Sequence, residues 1–288
     1  MVKRVIRKNG GGGQETPLKA VINEQCMLKN AEDRNGKVRT DMYASDYLQC
    51  QRKIYFSFFP DKYPSEELSP RVIRIFQNGE SVHERLAGYL KRDPEIQFHE
   101  EVDVPRDELE VHGRCDGICM KDSKFIVTEF KSINRPTVYE AKDEHKGQLE
   151  WYMGMWDLHR RRLRGLLALP KDGGFVTEAE VEAAMEILED PKDYEKMLLL
   201  SQGPICGEII MESKQNQEIF SFAVEYTKEH FDKVKLWYQQ LKWHLDNDKP
   251  PEKKYFKNSF PCSWGSPARK NAGKCPYYDV CWGSDGTD

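Results

Sequence analysis

Two carboxylates and a lysine fall close together in the stretch Gly113 to Ser132, GRCDGICMKDSKFIVTEFKS. Asp116 sits in one short apolar run, Glu129 and Lys131 in a second, and the turn-forming Lys121-Asp122-Ser123 lies between them. Residues two apart share a face of a strand, so Glu129, Lys131 and Val127 point the same way, and Asp116 shares a face with Arg114 and Ile118. If the runs pair as a hairpin, Asp116 and Glu129 converge and Lys131 lies beside them. Such a trio suits phosphodiester cleavage. Carboxylate oxygens hold a hard cation such as Mg2+ or Mn2+. The cation polarises a phosphoryl oxygen and lowers the pKa of a bound water. The lysine orients or deprotonates that water, or stabilises the charge that develops. The same residues also make an ordinary cross-strand ion pair, and the short pattern does not separate the two readings.

Flanking residues extend the pattern. His83 lies on a long helix in GESVHERL, as a surface or core histidine or as a third metal ligand. Gln148 and Tyr152, in GQLEWYMGM, are four apart and share one face of a helix. A helix histidine, Gly113-x-x-Asp116, Glu129-x-Lys131 and Gln148-x-x-x-Tyr152, in that order, resemble the RecB-like branch of the PD-(D/E)xK nucleases. The likeness is strongest to the CRISPR-associated and phage-encoded exonucleases and the AddB-type nuclease domain. The proline that often precedes the motif aspartate is absent here.

The resemblance implies a restriction-endonuclease-like core. It assigns catalysis to Asp116, Glu129 and Lys131, and Mg2+ or Mn2+ binding to His83, Asp116, Glu129 and the Phe130 carbonyl. Gln148 and Tyr152 place the substrate or the lysine. Lys214, in MESKQNQEI, reaches a phosphate at the rim or is simply a turn lysine. The function implied is metal-dependent hydrolysis of DNA from single strands or ends, in recombination, replication or repair, with a phage source among the options. A CRISPR adaptation nuclease, trimming new spacers with an integrase complex as protein partner, shares the chemistry. A DNA-binding scaffold without the reaction is the third reading, and the complete motif set argues against it.

Eight cysteines in a chain without an apolar leader are read as metal ligands or reduced thiols, not a disulfide framework. Cys262, Cys275 and Cys281 fall near the C-terminus, and three thiolates need a fourth ligand. By the resemblance the fourth is Cys50, in SDYLQCQRKIYF, and the group is a 4Fe–4S cluster joining an N-terminal helix to the C-terminal tail. The gap from Cys262 to Cys275 is longer than is usual in the family, which keeps zinc, or a different third ligand, open. Cys26, Cys115, Cys119 and Cys206 read as small buried hydrophobes.

The elements that must position these residues are legible in outline. Hydrophobic residues make up 39% and charged residues 32% of 288, the proportions of a globular chain with a heavily charged surface. No apolar run reaches the roughly 20 residues of a membrane span, and a cytoplasmic location is expected. The net charge of −4 argues only weakly about nucleic acid, because local patches matter more. The runs HRRRLRG, EKKYFKN and PARKNAGK are such patches, or solvated faces.

Helices are predicted from Ser45 through YFSFF, over RVIRIFQNGESVHERLAGYLKRD with a weak point at Gly79, over HKGQLEWYMGMWDLHRRR, over VTEAEVEAAMEILEDP behind a Thr177–Glu180 capping box, and over TKEHFDKVKLWYQQLKWHLDNDK. Strands are predicted over IQFHEEVDV, LEVHGRCDGIC, KFIVTEFKSI, LRGLLALP and the two halves of CGEIIMESKQNQEIFSFAVEY. The class is therefore α/β or α+β, a central mixed sheet flanked by helices. The expected organisation is an N-terminal extension over residues 1–40, carrying the Gly10–Gly13 run, and one nuclease-like domain over residues 41–288. That domain divides into a helical part (41–95), a catalytic core (96–226) and a C-terminal helix with the cysteine clasp (227–288).

Overall fold

A computed structural model describes residues 16–34, 38–170, 176–188, 191–255, 260–264 and 273–283. The Gly10–Gly13 run and most of PARKNAGK lie outside them. In chain order the elements are α1 (Pro17–Arg34), β1 (Met42–Tyr43), a 3-10 turn (Ala44–Asp46), α2 (Gln51–Phe58), α3 (Pro70–Leu90), β2 (Gln97–Asp103), β3 (Val111–His112), β4 (Arg114–Lys121) and β5 (Lys124–Ile133). Then follow α4 (Asp143–Leu166), α5 (Glu178–Met185), α6 (Asp193–Leu200), β6 (Cys206–Ser213), β7 (Ile219–Glu225), α7 (Lys228–Asp246), β8 (Ser263–Trp264), β9 (Gly273–Lys274) and α8 (Tyr278–Trp282). Two compact units share the chain: residues 1–39, 52–76 and 250–288 in one, and residues 40–51 and 77–249 in the other.

The second unit is built on a five-stranded sheet of order β2-β4-β5-β6-β7. All neighbours are antiparallel except β5 and β6, which run parallel. A parallel pair needs a long crossover, and α4, α5 and α6 supply it. The mixed sheet flanked by helices is the fold class expected from the sequence. The β4–β5 hairpin closes on Lys121↔Lys124 with Asp122 at φ 49° and Ser123 at φ 61°. Two positive φ values match the right-handed twist of the flanking strands.

The sheet is covered on both faces. Val82, Leu86 and Ala87 of α3 pack on Phe130 of β5, with Phe98 and Ile210 against them. Gly207 of β6 faces Leu149 and Met153 of α4, where an added Cβ would lie 2.8 Å from both side chains. Gly207 is in register with Val127 and Ile210 with Phe130. Side chains alternate along a strand, so α3 and α4 cover opposite faces. α4 is buried almost all round over Gly147–Asp157 because α7 closes its far side. There Trp151 lies 5.5 Å from Phe231 and 4.9 Å from Tyr238, ring centre to ring centre.

The first unit holds α1, most of α2, the start of α3, the β8–β9 pair and α8. Tyr55, Phe56, Phe59, Tyr63 and Tyr277 form an aromatic cluster. Glu66 N donates to Pro276 O at 3.0 Å, and Arg74 Nη1 to Asn23 Oδ1 at 2.9 Å.

Several elements differ from expectation for identifiable reasons. No helix starts at Ser45: a 3-10 turn forms, Asp46 Oδ2 accepts from Tyr43 N at 2.8 Å, and Leu48 at φ 59° breaks the chain before α2 begins at Gln51. LRGLLALP is not a strand. Leu163 and Leu167 are buried one helical turn apart, and α4 ends with Ala168 at φ 53° and Leu169 N donating to Arg164 O at 2.9 Å. α3 runs unbroken through Gly79 because its apolar stripe is anchored on the sheet. α1 and α6 had no announced counterpart in the sequence. The Thr177–Glu180 capping box forms as expected.

Candidate active site

The site forms where β4 parts from both of its neighbours. The β4–β5 ladder ends at Gly117↔Thr128; one step further, Asp116 would face Glu129. On the other edge the β2–β4 ladder skips a step between Glu100↔Gly117 and Val102↔Cys115, opposite Asp116, and Glu101 there has φ 53°. Asp116 is thus released from regular pairing on both sides. Its Oδ2 accepts from Phe130 N at 2.5 Å, and its Oδ1 lies 3.2 Å from His83 Nδ1 on α3. α3 carries His83 to this point because Val82, Leu86 and Ala87 dock beside Phe130.

Glu129 is 3% exposed. Its Oε1 accepts from Lys131 Nζ, while Oε2 is buried without a hydrogen-bond partner. Lys131 Nζ also donates to Gln148 Oε1 at 3.2 Å. Gln148 Nε2 donates to Tyr152 OH at 2.9 Å, and Tyr152 OH donates to Arg114 O at 3.2 Å. The four-residue spacing of Gln148 and Tyr152 on α4 builds this relay. His83, Asp116, Glu129, Gln148 and Tyr152 all line one cavity of about 500 Å³, with Tyr43, Ser45, Glu80, Glu101, Asp103, His112, Gly113 and Arg114.

Burial sets the electrostatics. It pushes the Glu129 carboxyl up to about 7, with the nearby Lys131 charge pulling the other way. For Lys131, burial presses the pKa down, but the charge and hydrogen bond of Glu129 outweigh it and leave the ammonium above its usual value. His83 is likewise pressed down by burial and lifted more by its bond to Asp116, ending above the usual histidine range. His145, buried beside Lys131, is held down at about 4 by burial and that neighbouring charge, and so stays neutral. Burial raises Tyr152 well above the ordinary phenol value, which keeps its hydroxyl a donor.

Among the described residues no three His, Cys, Asp or Glu side chains are gathered closely enough to hold a metal ion as they stand. His83 and Asp116 are turned to each other, and Glu129 to Lys131. The donor set nevertheless suits a hard cation: two carboxylates and an imidazole face one cavity, and the unpartnered Glu129 Oε2 is a buried acceptor awaiting a charge or donor.

Gly113 has a steric reason to be glycine. A Cβ there would lie 2.5 Å from the Tyr152 ring, which is 2% exposed and cannot retreat. Replacing Gly113 by alanine is expected to cost about 1–3 kcal/mol and to lower activity by shifting Tyr152 and Gln148. Urea unfolding beside an activity assay checks it, and unchanged values in both would refute the packing argument.

Other anticipated residues fall elsewhere. Lys214 lies at the β6–β7 turn, its amide donating to Ile133 O at 2.8 Å, and is not among the residues lining the cavity. Cys262 and Cys275 flank the β8–β9 pair, with Cys275 N donating to Cys262 O at 2.9 Å. Cys281 is on α8. Cys115 and Cys119 are buried, whereas Cys26 and Cys206 are only partly so. The HRRRLRG run is largely structural. Arg160 donates to Asp157, Ser201 and the Gly203 carbonyl, Arg164 donates to Leu199 O, and His159 pairs with Glu195. The sequence left Tyr43, Glu80, Glu101, Asp103 and His112 out of the site; their only sequence signal is proximity to motif residues.

No family model matches the chain, and no curated protein sequence does. Among solved structures the chain is similar to SSO0001, with 13% identity over 84% of this chain and 91% of that one, at a TM-score of 0.46. It is also similar to an alkaline exonuclease, LHK-Exo, from Laribacter hongkongensis, with 10% identity over 78% and 93% of the two chains and a TM-score of 0.38. The same exonuclease in complex with dAMP gives 11% identity over 72% and 89%, at a TM-score of 0.33. Among the described residues no helix is long and apolar enough to cross a membrane.

Proposed function

We propose that the protein is a metal-dependent deoxyribonuclease that removes nucleotides from single-stranded DNA or DNA ends, in recombination, replication or repair. The observation that carries this reading is the connected set at the fork: Asp116 held by the Phe130 amide and His83, and Glu129 joined through Lys131 and Gln148 to Tyr152. A divalent cation, Mg2+ or Mn2+, held by His83, Asp116, Glu129 and the Phe130 carbonyl would supply Lewis acidity toward a phosphoryl oxygen and a more acidic water.

The chain's own groups do the rest. Lys131 keeps its proton at neutral pH, because its pKa is raised. It therefore acts as a fixed positive charge that stabilises the phosphorane-like transition state and orients water, not as a proton acceptor. Gln148 fixes the ammonium by accepting from it, and Tyr152 fixes Gln148. The Phe130 amide holds Asp116 in one rotamer before substrate arrives. Lys214 is assigned to a phosphate at the rim.

The decisive experiment is degradation of end-labelled single-stranded DNA with Mg2+ or Mn2+ and with chelator. Degradation that needs the cation is expected; intact DNA of every form with both metals would leave only a binding scaffold. We further propose that Cys262, Cys275 and Cys281 bind an iron–sulfur cluster, with zinc as the other metal their thiolates suit; the fourth ligand, Cys50, is assigned by sequence pattern alone. Fresh protein should show visible absorbance and contain iron. Changing Cys275 to alanine should remove the metal and lower thermal stability while the purified variant keeps its Mn2+ affinity. Protein containing neither iron nor zinc would end this proposal.

A further inference from the structure

We propose that Arg114 is the phosphate-binding cation of the pocket, and that Glu101 holds it in the free protein until a nucleic-acid phosphate takes its place. The inference rests on the nuclease reading and adds a specificity-determining residue to it. Five carboxylates line the cavity, from Glu80, Glu101, Asp103, Asp116 and Glu129. Among the described lining residues Arg114 is the sole arginine or lysine. A phosphate entering this cavity meets several carboxylates, and Arg114 is the one guanidinium or ammonium group among the described lining residues that it can reach there; the Lys131 ammonium lies behind Glu129.

Arg114 is held in an arrangement that is easy to exchange. Its Nε lies 2.7 Å from Glu101 Oε2, and the two side chains are 63% and 48% exposed. Exposed ion pairs of this kind are worth little, because water screens them and both side chains keep their freedom when parted. A phosphate offers the guanidinium two parallel hydrogen bonds and more charge. The backbone of Arg114 does not move with the exchange, because its carbonyl accepts from Tyr152 OH at 3.2 Å, in the relay that reaches Lys131.

Glu101 is placed by an unusual backbone. It adopts φ 53° inside β2, at the step where the ladder to β4 is skipped opposite Asp116. That left-handed conformation is unfavourable for glutamate, whose Cβ crowds the following carbonyl oxygen. It sets the Glu101 carboxylate at the pocket wall, where it occupies Arg114 as a phosphate would.

The test is binding of a labelled single-stranded oligonucleotide to the full chain in chelator, over a range of salt, alongside steady-state degradation with Mn2+. Arg114→Gln is expected to raise Kd and KM about tenfold with kcat nearly unchanged, and to reduce the salt slope by about one. Arg114→Lys, which keeps the charge and loses the fork, should fall between the two. Glu101→Gln should tighten binding by up to about fivefold, the amount a surface ion pair competes. The double variant should bind like Arg114→Gln alone. Circular dichroism of each variant establishes that it is folded. Wild-type affinity in Arg114→Gln, or tighter binding from Glu101→Gln when Arg114 is already glutamine, overturns the inference and leaves the nuclease reading standing. A wild type that binds through Arg114 yet hydrolyses no DNA supports the inference and removes the hydrolytic reading.

Discussion

Alanine at Glu129 or at Lys131 is expected to slow DNA degradation by at least about a thousandfold, with the fold retained. The two side chains work as one unit. Glu129 is buried, its Oε1 satisfied by Lys131 and its Oε2 by nothing among the described residues. Removing Lys131 leaves a buried carboxylate without its counter-charge, which drives it further toward the neutral form and away from a cation. Removing Glu129 leaves the ammonium donating to Gln148 and takes away a metal ligand. The double variant should therefore be scarcely slower than either single one. A sign follows for pH. Burial holds the Glu129 carboxyl at about 7 in the metal-free protein. Below that value a proton competes with the cation; above it the carboxylate is available. Mn2+ affinity, read by calorimetry, should rise as pH climbs through about 7, with proton release on binding. Full activity in Glu129→Ala, or affinity that falls with pH, would sink the assignment.

Changing Asp157 to alanine is expected to lower stability by about 3–5 kcal/mol, the loss typical when one member of a buried ion pair is deleted. Asp157 on α4 is 5% exposed and lies 3.1 Å from Arg160 and 2.7 Å from Arg161. Arg160 also tethers α4 to the segment before β6 through Ser201 and the Gly203 carbonyl. Without Asp157, the Arg160 charge would stay buried near Arg164, whose own guanidinium is already pressed below its usual pKa by burial and by that neighbour. Arg161 is 61% exposed, so Arg161→Ala should change stability by less than about 1 kcal/mol. Urea unfolding of the two variants decides between a structural and a solvated basic run: equal small losses would restore the solvated reading.

The parts of this molecule that could be read from sequence are those governed by short-range rules. The β4–β5 hairpin follows from apolar alternation around Asp122-Ser123. α7 follows from its stripe of Phe231, Val234, Tyr238 and Leu241, all buried. The Thr177 cap follows from a side chain that reaches its own helix. Where tertiary packing decided, the sequence misled. The apolar density of LRGLLALP reads as a strand, yet its buried leucines are one helical turn apart and face the core of an existing helix. The basic run His159–Gly165 reads as a nucleic-acid patch or a solvated face, because nothing local reveals that Asp157, Glu195 and the carbonyls of Leu199 and Gly203 will meet it.

Of the site, the residues along one strand or one helix turn could be paired in advance: Glu129 with Lys131, Gln148 with Tyr152. Glu101 could not. Its place depends on a break in β2 that no residue type announces, since a left-handed glutamate is set by its neighbours and not by its own preference. The place of Lys214 depends on a tertiary register just as far beyond local rules.

The single parallel pairing in the sheet also sets the order in which the molecule can come together. Asp116 and Glu129 are brought face to face by a two-residue turn, a hairpin closure of about 1–10 microseconds. β5 can meet β6 only after residues 134–205 have made their excursion, and that closure carries the larger entropic barrier. Gln148 and Tyr152 ride on the excursion. In chain order both acids precede α4, so during synthesis the carboxylates leave the ribosome ahead of the groups that steady their lysine.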